Sequence, residues 1–232
     1  MIALEIDRLT SGYGEAMVLR DLSLRVAAGE VLAVLGKNGM GKSTLLKTVM
    51  GFLPARGGRI SLFESGASGR SPHLLASRGV AYSPQEQAIF QDLTVEENLR
   101  LGLPRGTAFA AGLDLVAGFF PFLAKRRRQR AGTLSGGEQK MLIIGRALLA
   151  RPRLMLIDEI TEGLQPSVIL RLAEVLRAER QRGGTAILLV EQNVRFALSL
   201  ADRYAVLARG EIVDEGSVGG GAEARIAEHL SV

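Results

Sequence analysis

Polar and apolar residues alternate near the N-terminus, and the alternation gives way to unbroken apolar runs further along. Leu4 and Ile6 alternate with Glu5 and Asp7 across Leu4 to Leu9, and Leu22, Leu24 and Val26 alternate with Ser23 and Arg25. Period two of this kind predicts half-exposed antiparallel strands. Arg59 to Phe63 repeats the pattern. Ser11 to Gly14, Ala28 to Glu30 and Pro54 to Gly58 read as turns, and Ser65 to Ser71 as a surface loop. Val31 to Leu35, Leu154 to Ile157 and Ala186 to Val190 are apolar throughout and predict buried strands. Shorter strands are predicted from Gly79, running into a loop at Gln85, and over Tyr204 to Leu207 and Glu211 to Val213.

Helical patterns fall between these strands. Leu45, Leu46 and Val49 have helical spacing within Ser43 to Met50. Thr94 followed by Glu97 is a capping-box pattern, and the chain is predicted helical from there to about Arg130. Further helices are predicted from Leu134-Ser135-Gly136-Gly137-Glu138-Gln139 to about Leu149, over Val168 to Arg182 before Gly183-Gly184, and beyond Gln192 to about Ala201. Strands that alternate with helices and are apolar on both faces predict a parallel sheet covered on both sides. Gly219 to Gly221 marks a flexible step into a short tail.

Composition narrows this picture. A chain of 232 residues suits one large domain or two small ones, and zero cysteines exclude a disulfide framework or thiolate metal site. With 29 basic and 24 acidic side chains, the formal excess of +5 is too small to choose a partner. The basic run Lys125-Arg126-Arg127-Arg128 has no aromatics interleaved for base stacking, so it reads as a solvated face and no nucleic-acid partner is expected. The first residues show no basic leader followed by an apolar stretch, and no signal peptide is read. Gly106 to Ala124 has the length of a membrane span, but Asp114 near its middle would cost about 2.5–3.5 kcal/mol on insertion. Gly112, Gly118 and Pro121 divide it, which predicts two buried helices instead.

The chemistry begins at Gly36-Lys37-Asn38-Gly39-Met40-Gly41-Lys42-Ser43-Thr44, which fits the phosphate-loop pattern G-x-x-x-x-G-K-[ST] between a predicted strand and a predicted helix. Unpaired amides and the positive end of a helix dipole converge there on one point, which suits a polyphosphate. Lys42 would reach the β- and γ-phosphates and the Ser43 hydroxyl would ligate Mg²⁺. Asp158, at the end of an apolar strand, would hold Mg²⁺, and Glu159 would polarise an attacking water. Ser135, Gly136 and Gly137 form a second anion cradle at a helix N-terminus.

The phosphate loop and the Leu134–Gln139 stretch, at this spacing, resemble an ABC-type ATPase, the nucleotide-binding subunit of a transporter, over essentially the whole chain. The resemblance implies an α/β fold of the P-loop NTPase class. It would have a RecA-like parallel core sheet, an N-terminal antiparallel β-subdomain and a helical signature subdomain. One domain would span 1–232, with the β-subdomain and core in 1–90 and 152–218, the helical subdomain in 91–151 and a tail in 219–232.

By the same resemblance, Gly36 to Thr44 is the Walker A loop for ATP and Leu154 to Asp158 the Walker B strand, with Glu159 as catalytic base. Tyr13 stands where an aromatic stacks on adenine. Gln85 stands in the Q-loop, where it joins Ser43 and Asp158 at Mg²⁺. Ser135, Gly136, Gly137 and Glu138 match the signature that meets the ATP of an opposing subunit. Gln192 takes the switch-histidine place, where its amide can donate to a phosphate but carries no charge. Ile160 replaces the usual proline after Walker B, and Gln165 the usual D-loop aspartate.

Leu189-Val190-Glu191-Gln192-Asn193, Thr133 to Gln139 and Glu162-Gly163-Leu164 are similar to the smaller ATPases of branched-chain amino-acid importers. Thr161 to Ser167 is also similar to urea and amide importers, and a lipid- or lipopolysaccharide-extracting motor shares most motifs. The implied partners are two transmembrane permease subunits, a second ATPase subunit (a different chain or a second copy) and, indirectly, a periplasmic solute-binding protein. The chain would work peripherally at the cytoplasmic face of the inner membrane. Thr94 to Arg130 would contain the permease dock, with Phe119, Phe120 and Phe122 read as core.

Overall fold

The computed structural model describes residues 1–85, 89–104 and 106–230. It opens with β1 (Ile2–Tyr13) and β2 (Ala16–Ala27), followed by β3 (Val31–Leu35) and α1 (Lys42–Val49). Next come β4 (Ala55–Leu62), the two-residue β5 (Ser65–Gly66), α2 (Pro72–Ser77) and β6 (Val80–Ser83). The helical stretch holds α3 (Val95–Arg100), α4 (Phe109–Phe119), α5 (Pro121–Lys125) and α6 (Gly136–Leu149). The remainder alternates: β7 (Leu154–Asp158), α7 (Pro166–Gly183), β8 (Ala186–Glu191), α8 (Val194–Leu200), β9 (Arg203–Ala208), β10 (Glu211–Ser217) and α9 (Ala222–Leu230).

Two sheets form. One is antiparallel with order β2-β1-β4-β5, and the other has order β10-β9-β3-β8-β7-β6. In the larger sheet, β9, β3, β8, β7 and β6 run parallel and β10 closes one edge antiparallel. The apolar strands are apolar because both faces are covered. Leu32, Val34, Leu154, Leu156, Leu188 and Val190 face the core shared with the antiparallel sheet and α1. Their neighbours Val31, Ala33, Leu35, Met155, Ile157, Ile187 and Leu189 face the core built with the other helices. Period two within a continuous apolar run thus divides one strand between two cores.

Several local expectations change. Ser11 to Tyr13 lies within β1, with the turn at Gly14-Glu15, and Ala55 to Gly58 belongs to β4. Cross-strand pairing to β4 at Thr10 and Ser11 overrides the local turn chemistry. Part of Ser65 to Ser71 pairs as β5, and α2 was not anticipated. The short tail after Gly219 to Gly221 carries the helix α9, held because Ala222 and Ile226 bury one face of it against the core built with the other helices.

Other expectations hold. The Thr94–Glu97 capping box closes in both directions, Glu97 N–H donating to Thr94 Oγ1 at 3.1 Å and Thr94 N–H to Glu97 Oε2 at 2.7 Å. Gly106 to Ala124 carries two helices broken at Phe120-Pro121, but they are not buried throughout: Gly112 and Val116 of α4 and Leu123 of α5 are buried. No helix among the described residues is long and apolar enough to cross a membrane. Phe120 is fully buried, with Phe119 and Phe122 packed against the same core. Within the basic run, Arg126 pairs with Glu138 and Arg127 with Glu96.

Candidate active site

Parallel strands present their C-terminal ends on one edge of a sheet, where ligands bind in this class of fold. Register fixes what stands there: Leu35 is opposite Glu191, Val190 opposite Asp158, and Ile157 opposite Ser83. The phosphate loop, the two acids after β7, the end of β8 and the approach to Gln85 therefore share one rim.

The loop after β3 turns into α1 through Gly41, whose φ of +107° is open to glycine and strained for other residues. Gly36 is needed for a different reason: a Cβ there would lie 2.5 Å from the Leu207 carbonyl oxygen. The start of α1 has no side-chain cap. Its amides are left for something else.

Lys42 is buried and folds back under the loop, donating to the carbonyl oxygens of Gly36 and Lys37 at 2.7 Å each. It also pairs with Glu159 Oε1 at 3.0 Å. The other oxygen of Glu159 accepts from the Gln85 amide at 3.0 Å, and the same amide reaches Glu162. Glu159 sits at φ +42°, a left-handed conformation that a non-glycine residue keeps only when its surroundings impose it. Here the imposition includes its own N–H, which donates to the Val190 oxygen at 3.0 Å.

Ser43 Oγ donates to Asp158 Oδ1 at 3.0 Å, and the Tyr82 hydroxyl to Asp158 Oδ2 at 3.3 Å. Burial pushes the Asp158 carboxyl above its ordinary value; the Ser43 hydrogen bond opposes this and the neighbouring charge of Glu159 adds to it. The Tyr82 phenol is raised in turn, by burial first and then by Asp158. Among the described residues no cluster of three or more His, Cys, Asp or Glu could hold a metal. A serine hydroxyl, one carboxylate and a glutamine side chain nonetheless suit Mg²⁺, a hard cation commonly held by one or two carboxylates with substrate phosphates and water. Ser43 and Asp158, already in contact, fit that ion.

The other expected residues lie in three places. Tyr13 ends β1, 46% exposed, near enough to Tyr82 to contribute to the rise of its phenol. Gln192 is exposed after β8 and shares a shallow cleft with Glu159, Thr161, Glu162, Glu191 and Asn193. Ser135 caps α6, with Glu138 N–H on Ser135 Oγ at 3.4 Å and Ser135 N–H on Glu138 Oε2 at 3.0 Å. Glu138 Oε1 is held at 2.9 Å by Arg126. The hydrogen bonds and ion pairs of Ser135 and Glu138 thus stay in the helical stretch, and those of Lys42 in the phosphate loop and Glu159.

Sequence reasoning assigned no role to Tyr82, Glu162 or Glu191. Tyr82 carried a usable signal, since it stands three residues before Gln85 on a strand leading to the same rim. Glu191 stood at a strand end like Asp158, but its partners across the rim cannot be read from linear order.

Comparison with known proteins bears on this geometry. The ABC transporter family matches residues 19–162. The high-affinity branched-chain amino acid transport ATP-binding protein BraG of Pseudomonas aeruginosa is 42% identical over 212 residues, covering 90% of this chain and 91% of that protein. The lipopolysaccharide export system ATP-binding protein LptB of Escherichia coli is 31% identical over 94% of this chain and 91% of its own length. Among solved structures, a nucleotide-free ATP-binding cassette from an ABC transporter superposes with a TM-score of 0.86 at 26% identity, covering 97% of this chain and 94% of that one.

Proposed function

Since the chain belongs to the ABC transporter family and is an ATP-hydrolysing, nucleotide-binding subunit, we propose that it drives an importer of branched-chain amino acids. The observation that carries this reading is the 42% identity to BraG across nearly the full length of both chains. Its partners would be two transmembrane permease subunits and a second ATPase subunit, with a periplasmic solute-binding protein acting from the far side. Its place would be the cytoplasmic face of the membrane.

The proposed mechanism starts from a closed electrostatic circuit. Lys42 and Glu159 neutralise each other at 3.0 Å in a buried setting. A triphosphate entering the loop supplies Lys42 with a different counter-ion, so Glu159 is released to accept a proton from the attacking water. Ser43, Asp158 and Gln85 would hold Mg²⁺, which neutralises charge on the phosphates. The α1 amides bind the phosphate oxygens, Tyr13 stacks on adenine, and Gln192 donates its amide to the terminal phosphate. Ser135, Gly136, Gly137 and Glu138 would form a surface for the nucleotide of the other ATPase subunit.

Similarity to LptB supports a second reading, a motor that extracts lipopolysaccharide or lipid. Urea or amide import remains a third. They separate in reconstituted vesicles holding the chain with the permease subunits encoded beside it. The importer reading expects ATP turnover to rise on addition of the neighbouring solute-binding protein with leucine, isoleucine or valine. Stimulation by urea, an amide or lipopolysaccharide, with none by those amino acids, rejects it.

A further inference from the structure

Glu191 takes no part in the mechanism above, yet it is a buried carboxylate (1% exposed) at the rim. Among the described residues no cation pairs with it. Four donors converge on it instead. Thr161 N–H lies 3.1 Å from Oε1, while Oε2 takes the Thr161 hydroxyl at 2.9 Å, Gln192 N–H at 3.1 Å and Asn193 N–H at 3.3 Å. Burying a charge without a counter-ion is costly unless hydrogen bonds replace its water. The donors that replace it come from two segments: Thr161 is two residues past Glu159, and Gln192 begins the switch segment.

We propose that Glu191 is a positioning residue that fixes Glu159 and Gln192 relative to each other, so that both address one nucleotide as a unit; this rests on the ATPase reading of the site. Glu159 needs such a frame because its backbone sits at φ +42°. The end of β8 holds it from both sides, through the Val190 oxygen on the Glu159 N–H and through the Glu191 carboxylate on Thr161. Gln192 is tied to the same carboxylate through its backbone, leaving its side chain open to the cleft. Oε2 alone joins the two segments, and Oε1 adds a second hold on Thr161 through its N–H. A glutamine has one accepting oxygen: its NH₂ would face either the Thr161 N–H, leaving that donor unpaired, or the Gln192 and Asn193 N–H groups, releasing the switch segment.

The test is Glu191→Gln in the assembled transporter, with Thr161→Val as a milder variant that removes a single hydroxyl donor. Glu191→Gln is expected to lower kcat by about 10- to 100-fold, the scale of a catalytic group displaced by a fraction of an ångström to 1 Å. KM for ATP should stay unchanged, and Thr161→Val should give a smaller loss of the same kind. In a Gln192→Ala background, Glu191→Gln should cost less than in the wild type, because part of its effect acts through Gln192. Wild-type kcat in Glu191→Gln, or losses that simply multiply in the double variant, would overturn the inference while leaving the ATPase reading intact. Absence of turnover in the unmodified assembly would overturn that reading and this inference with it.

Discussion

Two helix N-termini, α1 and α6, use the same backbone device for different ends. Each begins after glycine or serine and aims free amides outward, so each favours an anion. At α1 the cap is Gly41, without a side-chain cap, and the first helical residue is a buried lysine with a buried glutamate beside it. At α6 the cap is the exposed Ser135, closed by its own Glu138, and a Cβ at Gly136 would meet only open space. One terminus is enclosed and surrounded by groups that can move protons and hold a cation. The other is exposed, with its Glu138 N–H taken by Ser135 Oγ and its Glu138 carboxylate held by Ser135 N–H and Arg126. On the proposed function, α6 would serve a phosphate held by another chain.

The largest effect should come from Lys42→Ala, which strips the enclosed terminus of its ammonium and leaves Glu159 buried without its cation. Truncating one partner of a buried charged contact at a binding site costs about 2–5 kcal/mol of binding, so ATP·Mg affinity should fall by at least about 30-fold on calorimetric titration. Affinity within threefold of wild type would remove the basis for contrasting the two termini. Glu159→Gln should cut turnover by about 10²- to 10⁴-fold, the range for a general base. ATP should bind as tightly or more so, because Lys42 no longer has a competing carboxylate; weaker binding would contradict the counter-ion exchange.

Ser135→Arg sharpens the comparison from the other side. It should leave nucleotide binding by the isolated chain unchanged and lower turnover of the assembly by about tenfold or more, as loss of a transition-state phosphate contact would. Weaker binding in the isolated chain would place Ser135 at its own nucleotide.

The smallest effect concerns stability. Burial raises the Asp158 carboxyl above its ordinary 3.8, so the fold binds this proton more readily than the unfolded chain. The stability drawn from this group is therefore complete below 3.8 and lost as pH rises through the raised value. Asp158→Asn should raise Tm at neutral pH, with the gain shrinking on acidification. A lower Tm at neutral pH would show that its hydrogen bonds outweigh its burial.

The enclosed terminus was legible in sequence because its parts are contiguous or end apolar runs: Gly36 to Thr44 in one stretch, and Asp158-Glu159 where β7 stops. Its internal wiring was not. Nothing in linear order says that Lys42 faces Glu159, or that Tyr82 and Glu191 hold the rim, since strand register sets those contacts. The same limit explains the fold-level differences. Ser11 to Tyr13 and Ala55 to Gly58 carry turn residues but pair as strands, Ser11 with Ala55, Gly57 with Thr10, and Gly12 and Tyr13 with Met17 and Ala16. Likewise, α9 is held by two buried residues that a glycine-rich lead-in disguised.

The most direct test is a structure of the Glu159→Gln assembly loaded with ATP and Mg²⁺. The γ-phosphate on Lys42 should be met by the signature helix of the other ATPase subunit, with this chain's own Ser135 turned to a second nucleotide. A single triphosphate gripped by Lys42 and Ser135 of one chain would contradict the account.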